Sequence, residues 1–303
     1  MSFILKDTYF AVEFLMDLVL VIFIQVLYAV ASLVIISAGL AVIFGMMKVI
    51  NLAHGEFMML GAYAVIMSIN LGINLWVAMF IVAPIFVGLF GVILERLVIR
   101  RLYGRMVDTM LATWGLSLFL VGVVTSMAGN TTAGVSAPLG NFMIGDYSVS
   151  SYTLVIISVA VVLGWAIRLV LMRTQLGLIA RGTMQKPDMA NALGISPSLV
   201  YSATFAVGAA LSGLAGGLLA PLTGVVPTMG GAFIAKAFIT VIGGGPALLA
   251  GLVSASALFG TINQVTTFLT TPVLGEVALL ITAIVMLRLL PQGITGRFFK
   301  GSL

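Results

Sequence analysis

Leu18 to Met47 reads LVLVIFIQVLYAVASLVIISAGLAVIFGMM, an unbroken run without a residue charged at neutral pH. A helix crossing the hydrocarbon core of a bilayer needs about 20 mainly apolar residues, so this stretch supplies a membrane span, read as 18–43. The residues before it are acidic (Asp7, Glu13, Asp17). A cleaved signal peptide would carry basic residues ahead of a shorter apolar core, so this span is expected to stay attached. The same logic extends outward. Of 303 residues 61% are hydrophobic and only 8% charged, and the mean hydropathy is +1.25, which excludes a water-soluble globule. There is no cysteine, so disulfides, thiolate metal sites and cysteine nucleophiles are excluded, and thiol usage says nothing about redox compartment. The net charge of +5 is read by position, as a topology signal rather than a nucleic-acid footprint.

Further uncharged runs give spans near 56–69 and 75–94, divided by the turn-like Asn70-Leu71-Gly72-Ile73-Asn74, and near 109–127, 151–171 and 199–221. The last is dense in small residues (Gly208, Gly213, Gly216, Gly217), which let helix backbones approach closely in lipid. The remaining candidates are 228–243, short and containing Lys236, then 247–269 and 273–290. The segment 128–150, whose only charge is Asp146, reads as an exposed loop. Arg173 to Pro197 is too rich in turn signals to span. The expected fold is an all-α polytopic membrane protein of one domain, 1–303, with eight or nine spans.

Lysine and arginine accumulate on the cytoplasmic side of short loops. Loop 95–108 holds Arg96, Arg100, Arg101 and Arg105, loop 168–188 holds Arg168, Arg173, Arg181 and Lys186, and the tail holds Arg297 and Lys300, whereas 128–150 and 222–231 hold none. The first three therefore face the cytoplasm and the last two face outward, which puts the N-terminus outside and the C-terminus inside. Nine spans satisfy this if 228–243 crosses. If it folds back as a half-helix the count is eight, and the tail ends on the wrong side.

The sharpest local feature is Gly45-Met-Met-Lys48-Val-Ile-Asn51-Leu-Ala-His54-Gly55-Glu56-Phe-Met-Met-Leu-Gly61-Ala62-Tyr63. Lys, Asn, His and Glu interrupt apolar sequence within nine residues, and the histidine is the chain's only one. Ionisable residues at membrane depth are expensive and mark a pathway, a partner contact or a headgroup anchor; an interfacial turn with snorkelling ends is the alternative. The helix ending near Pro221, followed by Thr228 to Thr240 with Gly230 and Gly231, echoes this unit with opposite direction across the membrane, as inverted repeats do; chance similarity of glycine-rich helices is the other reading.

Asn51-Leu-Ala-His54-Gly55-Glu56 followed by Gly61-Ala62-Tyr63 resembles the signature of permease subunits of high-affinity branched-chain amino-acid importers of the ATP-binding cassette class. The resemblance continues through Arg181-Gly-Thr-Met-Gln-Lys186-Pro-Asp188-Met-Ala190-Asn-Ala-Leu-Gly194-Ile, Gly243-Gly244-Gly245 and Pro291-Gln-Gly293. It implies a pathway-lining role for the interrupted second helix, with Asn51, His54, Gly55, Glu56 and Gly61 as pathway residues and Gly230, Gly231 and Lys236 in the matching place of the second half. For Lys236 a snorkelling or structurally paired side chain is the alternative. Free N–H groups and the positive dipole end at such helix starts suit a substrate carboxylate.

Importer permeases of this class carry a short helix that docks into a cleft of the ATPase, with a Glu-Ala-Ala, three residues, then Gly pattern. Here Asp188-Met189-Ala190 leads to Gly194, with the spacing kept and two residues changed, so the resemblance implies ATPase coupling by a cytoplasmic loop, about 173–197, through Arg181, Lys186, Asp188, Ala190 and Gly194. An ordinary amphipathic loop helix is the alternative. No phosphate-cradling Gly-x-x-x-x-Gly-Lys-Ser/Thr occurs, so ATP and Mg belong to separate subunits and no cofactor is expected in this chain. The resemblance also implies a second permease, two cytoplasmic ATPases and an external soluble binding protein, in a bacterial-type inner membrane.

His54 and Glu56 as the acid and base of a membrane enzyme would face different directions on a helix, and one histidine builds no usual metal site. The four-arginine loop reads as a topology determinant, an anionic-lipid contact or an ATPase contact. The 17 methionines read as gap filling, and the Asn130-Thr131-Thr132 sequon receives no role. The rival functions are an amide or urea importer of the same family, a related sugar or nucleoside permease, and an ion-coupled secondary transporter, whose buried carboxylates would be Glu56 and Glu276.

Overall fold

In lipid the backbone must satisfy its own hydrogen bonds, and each apolar run does so as a helix. The computed structural model describes the backbone of residues 2–298 and the side chains of 14–296. The side chains of Asp7, Glu13 and Arg297, and Lys300 altogether, lie outside the described residues. Twelve helices follow in order: α1 (Ser2–Met47), α2 (His54–Asn70), α3 (Leu75–Leu97), α4 (Met106–Ala128), α5 (Ser151–Arg173), α6 (Gln175–Gln185), α7 (Pro187–Ala192), α8 (Pro197–Thr223), α9 (Gly230–Gly244), α10 (Leu248–Leu269), α11 (Pro272–Leu289) and α12 (Gly293–Phe298). Among the described residues seven helices are long and apolar enough to cross a membrane: α1 from Phe14 on, α3, α4, α5, α8, α10 and α11. This is the all-α polytopic membrane fold expected.

Two passages are different. The helices α2 and α9 have 17 and 15 residues, about 25 and 22 Å at 1.5 Å per residue, short of a hydrocarbon core of about 30 Å. The chain makes up the difference with non-helical segments, 48–53 and 224–229. The first begins at Lys48, with φ 55°, and the second at Gly224, with φ 64°. Both backbone conformations end the preceding helix. The span expected at 228–243 is thus a short helix joined to a non-helical segment that ends in a turn.

Close helix contacts orient the bundle. Gly39 meets Gly208 and Ser212, and Ile43 meets Gly208, so α1 and α8 run antiparallel; Gly45 meets Leu248 and Val30 meets Gly260, so α1 and α10 do too. Along α3 and α8, Met79 lies by Gly217 and Gly91 by Ala209, again antiparallel. The first helix of each half therefore packs on the third helix of the other, α1 on α10 and α8 on α3. This exchange is what an inverted pair of units, α1–α4 and α8–α11, produces.

The ends of the bundle sort the charges. Tyr103 stacks edge-on against Tyr201, which brings loop 95–108 to the end where α8 begins after the 173–197 segment. Thr295 Oγ1 donates to Gly244 O at 2.6 Å, bringing the start of the basic tail to the junction of α9 and α10, beside the C-terminal end of α1. At the opposite end, Ala133 and Val225 form an antiparallel bridge that joins the two segments free of lysine and arginine. All three basic segments thus share one end.

One expectation is corrected in detail and another extended. The segment 128–150 is not simply a loop, because Asn141–Ile144 (β1) and Tyr147–Ser150 (β2) pair as an antiparallel hairpin whose tip carries Gly145 at φ 54°. The alternation of Phe142, Ile144, Tyr147 and Val149 with polar or exposed residues is strand patterning in an otherwise polar stretch. The span expected at 18–43 lies within a longer helix, which runs from Ser2 and is apolar enough to span from Phe14 to Met47.

A candidate translocation site where two short helices meet

The break before α2 is folded into the bundle. Lys48 points outward, while Val49 is 4% exposed and Asn51 and Ala53 are fully buried. Asn51 Oδ1 accepts the Ala53 N–H at 3.0 Å, an Asx turn that leads the chain into α2. Thr113 of α4 accepts the Leu52 N–H at 3.1 Å and fixes the break laterally. His54, the first residue of α2, is fully buried between two other helices. Its Nε2 lies 2.8 Å from the Ile36 carbonyl of α1, so that nitrogen carries a proton, and its Nδ1 lies 3.0 Å from Ser212 Oγ near the middle of α8. The ring is a bracket joining three helices.

The N-termini of α2 and α9 meet at Gly55 and Gly230. A β-carbon on Gly55 would collide with the Gly230 carbonyl, and one on Gly230 would lie 2.7 Å from the Gly55 carbonyl carbon and 2.8 Å from Glu56 Oε1. Only glycine at both places allows this crossing. Gly61 makes the next contact, against the Gly213 backbone of α8. Helix N-termini carry partial positive charge. Two of them are brought together here, and the side chain beside both is Glu56, 3% exposed, whose Oε1 faces Gly230. The place that suits a substrate carboxylate holds one of the protein's own. Asn51 Nδ2 and Glu56 Oε2, one on each side of the α2 start, are buried without a partner.

The rest of the second half is more open. Gly231 is exposed, and nothing lies within 4 Å of where its β-carbon would be. One turn and a half further along α9, Lys236 Nζ pairs at 2.5 Å with Glu276 Oε1 of α11, with the two side chains 27% and 45% exposed. Lys236 is thus a paired lysine, away from the Gly55–Gly230 crossing.

The residues expected to couple to the ATPase, Arg181, Lys186, Asp188, Ala190 and Gly194, lie in a separate place at the basic end. Arg181 folds back on its own helix, donating to Gly177 O at 3.3 Å, and Lys186 and Asp188 are exposed. Proline at the start of α7 and Gly194, at φ 83°, punctuate it as expected. Ala190 is buried and its carbonyl accepts the Ile195 N–H at 3.0 Å, so α7 is clamped from below. That leaves Met189 and Leu193 projecting, 57% and 75% exposed. Met189 on α7 and Leu193 just beyond its end are two exposed apolar side chains next to exposed polar ones, a feature that the motif alone does not reveal.

Beside it, Glu95 is fully buried. Tyr103 donates to its Oε1, and Arg100 Nε stands 3.5 Å away. Burial, and then the Glu95 carboxylate, push the Tyr103 phenol well above its ordinary range, so it stays a donor. The arginine loop is thereby tied to α3 and, through the Tyr103–Tyr201 contact, to the start of α8. The sequence reading did not single out Ser212, Thr113 or Glu95. Each is a polar residue inside an apolar helix or at its end, and that oddity was the available signal.

A family model described as "Branched-chain amino acid transport system / permease component" matches residues 22–290. The chain is 29% identical over 279 residues to the high-affinity branched-chain amino acid transport system permease protein BraD of Pseudomonas aeruginosa, covering 86% of this chain and 91% of the relative. It is 27% identical over 278 residues to the corresponding LivH of Escherichia coli K12, covering 86% and 90%. To a probable branched-chain amino acid transport permease protein of Methanocaldococcus jannaschii it is 27% identical over 284 residues, covering 88% and 90%. No solved structure matches the chain. The apolar helical bundle, the buried break at Asn51 to Glu56 and a match across most of the length together place this chain in the family of branched-chain amino-acid transport permeases.

Proposed function

We propose that the chain is one of two transmembrane subunits of an ATP-driven importer for branched-chain or related amino acids, working by alternating access. The observation that carries the reading is the meeting of α2 and α9 at Gly55 and Gly230, with Glu56 beside both N-termini. A buried carboxylate held by two helix dipoles acts as a latch: the two short helices stay together while it is in place, and drawing α9 off α2 frees the N–H groups and the orphaned Asn51 and Glu56 atoms to meet water or cargo.

The force comes from outside the chain, since no nucleotide-binding loop is present in it. Separate cytoplasmic ATPases, holding ATP and Mg, press on α7 through Met189 and Leu193; α8 begins five residues beyond α7 and carries Ser212, Gly213 and Gly216, which hold His54 and α2. The path runs at the interface with a second permease copy or a related chain. A soluble binding protein delivers cargo to the end bearing the β1–β2 hairpin, in an orientation with the basic end in the cytoplasm of a bacterial-type inner membrane. Proteoliposomes reconstituted with the permease alone, and with the ATPases and binding protein added, test this. Leucine uptake that needs ATP and every component is expected; uptake by this chain alone on an ion gradient would overturn it.

A further inference from the structure

We infer that an open cavity lined by α1, α8, α9, α10 and α11 binds an amino acid as its zwitterion, with Lys236 taking the carboxylate and the adjoining Glu276 the ammonium group. This rests on the transport reading above and names the groups that grip the cargo. The cavity, of about 160 Å³, lies in the half of the bundle nearer the lysine- and arginine-free end, where α8 stops at Thr223 and α11 starts. A single ordered water needs only about 10–15 Å³, so there is room for a small solute with its hydration partly kept.

Its walls have two characters. Lys236, Asn263, Gln264, Thr223, Tyr28 and Ser32 make one polar side, and Ser32 Oγ is buried without a partner. Leu33, Ile36, Phe233 and Leu279 make an apolar side. Lys236 lines the polar side, and Glu276, one turn before the lining Leu279 on α11, stands next to the wall with its Oε1 2.5 Å from the lysine Nζ. Lysine inside a membrane helix is costly unless neutralised, which Glu276 does here.

An amino acid can do the same. Its carboxylate replaces Glu276 on the lysine, its ammonium replaces Lys236 on the carboxylate, and the total charge in the cavity is unchanged by the exchange. Its aliphatic side chain then faces the apolar wall. An analogue bearing one charge leaves one protein charge without a partner, and a neutral amide leaves the pair closed, so the arrangement rejects both. A purely structural ion pair has no such preference.

The sequence contains no cysteine, so a single reporter can be placed at Asn263→Cys on the cavity wall. In the purified full-length permease, millimolar L-leucine is expected to slow labelling of this thiol by a hydrophilic methanethiosulfonate about fivefold or more, while leucinamide and 4-methylvalerate leave it unchanged, the differential that two simultaneous charge contacts produce. Equal protection by all three, or by none, overturns the inference.

The second arm is ATP-dependent leucine uptake by the complete transporter. The exchanged pair, Lys236→Glu with Glu276→Lys, keeps an ion pair but presents it to the cargo reversed. Thermal stability near that of the parent with uptake lowered about tenfold or more is expected, a loss of one contact's worth of discrimination. Retained uptake in the exchanged variant overturns the site. Should that variant not fold, Glu276→Gln takes its place: it loses stability as the lysine loses its counter-charge, leucine protection of the Asn263→Cys thiol is lost with it, and retained protection overturns the site. If the parent complex itself does not transport leucine with ATP, the transport reading fails, and the protection series still decides whether the cavity binds a zwitterion.

Discussion

A methyl group at position 55 has nowhere to go, because the Gly230 backbone fills the space, whereas a methyl group at position 231 meets nothing. Gly55→Ala is therefore expected to lower ATP-dependent uptake about tenfold or more by forcing α2 and α9 apart, and Gly231→Ala to leave it within about twofold. Uptake assays with matched membrane levels check both. At the basic end, Tyr103→Phe removes the phenol from a carboxylate that no water reaches. Leaving Glu95 with Arg100 alone is expected to cost about 1–3 kcal/mol, read as a lower melting temperature in detergent. At this scale the sequence was informative about which residues are unusual and silent about their partners. Asn51, His54 and Glu56 stand out as polar residues in apolar sequence. That His54 grips Ile36 and Ser212, the latter 158 positions away, depends on helix crossing geometry that no local pattern encodes.

Among the elements, α7 and the residue after it carry two exposed apolar side chains. Met189 and Leu193 contribute little to the core, so Met189→Ser with Leu193→Ser is expected to leave the permease's melting temperature unchanged while the ATPase subunits no longer co-purify with it. Undiminished co-purification would separate α7 from coupling. Span positions were legible because uncharged length converts directly into helix, and the long helices fall where the runs predicted. The hairpin at 141–150 was not, since four-residue strands lie below the length at which alternation is distinguishable from a polar loop. The short helices were half legible: Lys236 and the glycines flagged 228–243 as irregular, but the non-helical segment ahead of each became visible only with the positive backbone angles at Lys48 and Gly224.

Across the whole molecule, two units of opposite direction exchange their first and third helices and bring their short second helices together end to end. The echo between Gly45–Tyr63 and Pro221–Thr240 pointed to this with weak similarity, because the constraint on each unit is small residues at crossings rather than particular side chains. What the molecule gains is a single mechanical point. Long helices packed through glycine contacts form a frame, and the Gly55–Gly230 meeting is the part that can separate without breaking it. Charge follows the same division, with basic segments collected at the α7 end and none in the described connecting segments 129–150 and 224–229 opposite.

The central claim is that ATP turnover moves the start of α9 relative to α2. It is tested by Gly231→Cys, a reporter at the open position beside the crossing in a chain otherwise free of cysteine. Labelling by a hydrophilic thiol reagent is measured in the complete reconstituted transporter, without nucleotide and after trapping with ATP and vanadate. The account predicts that the two labelling rates differ by about tenfold or more, the response of a two-state element driven from one arrangement to the other. Equal rates in the two states, in a preparation that transports leucine, would contradict it.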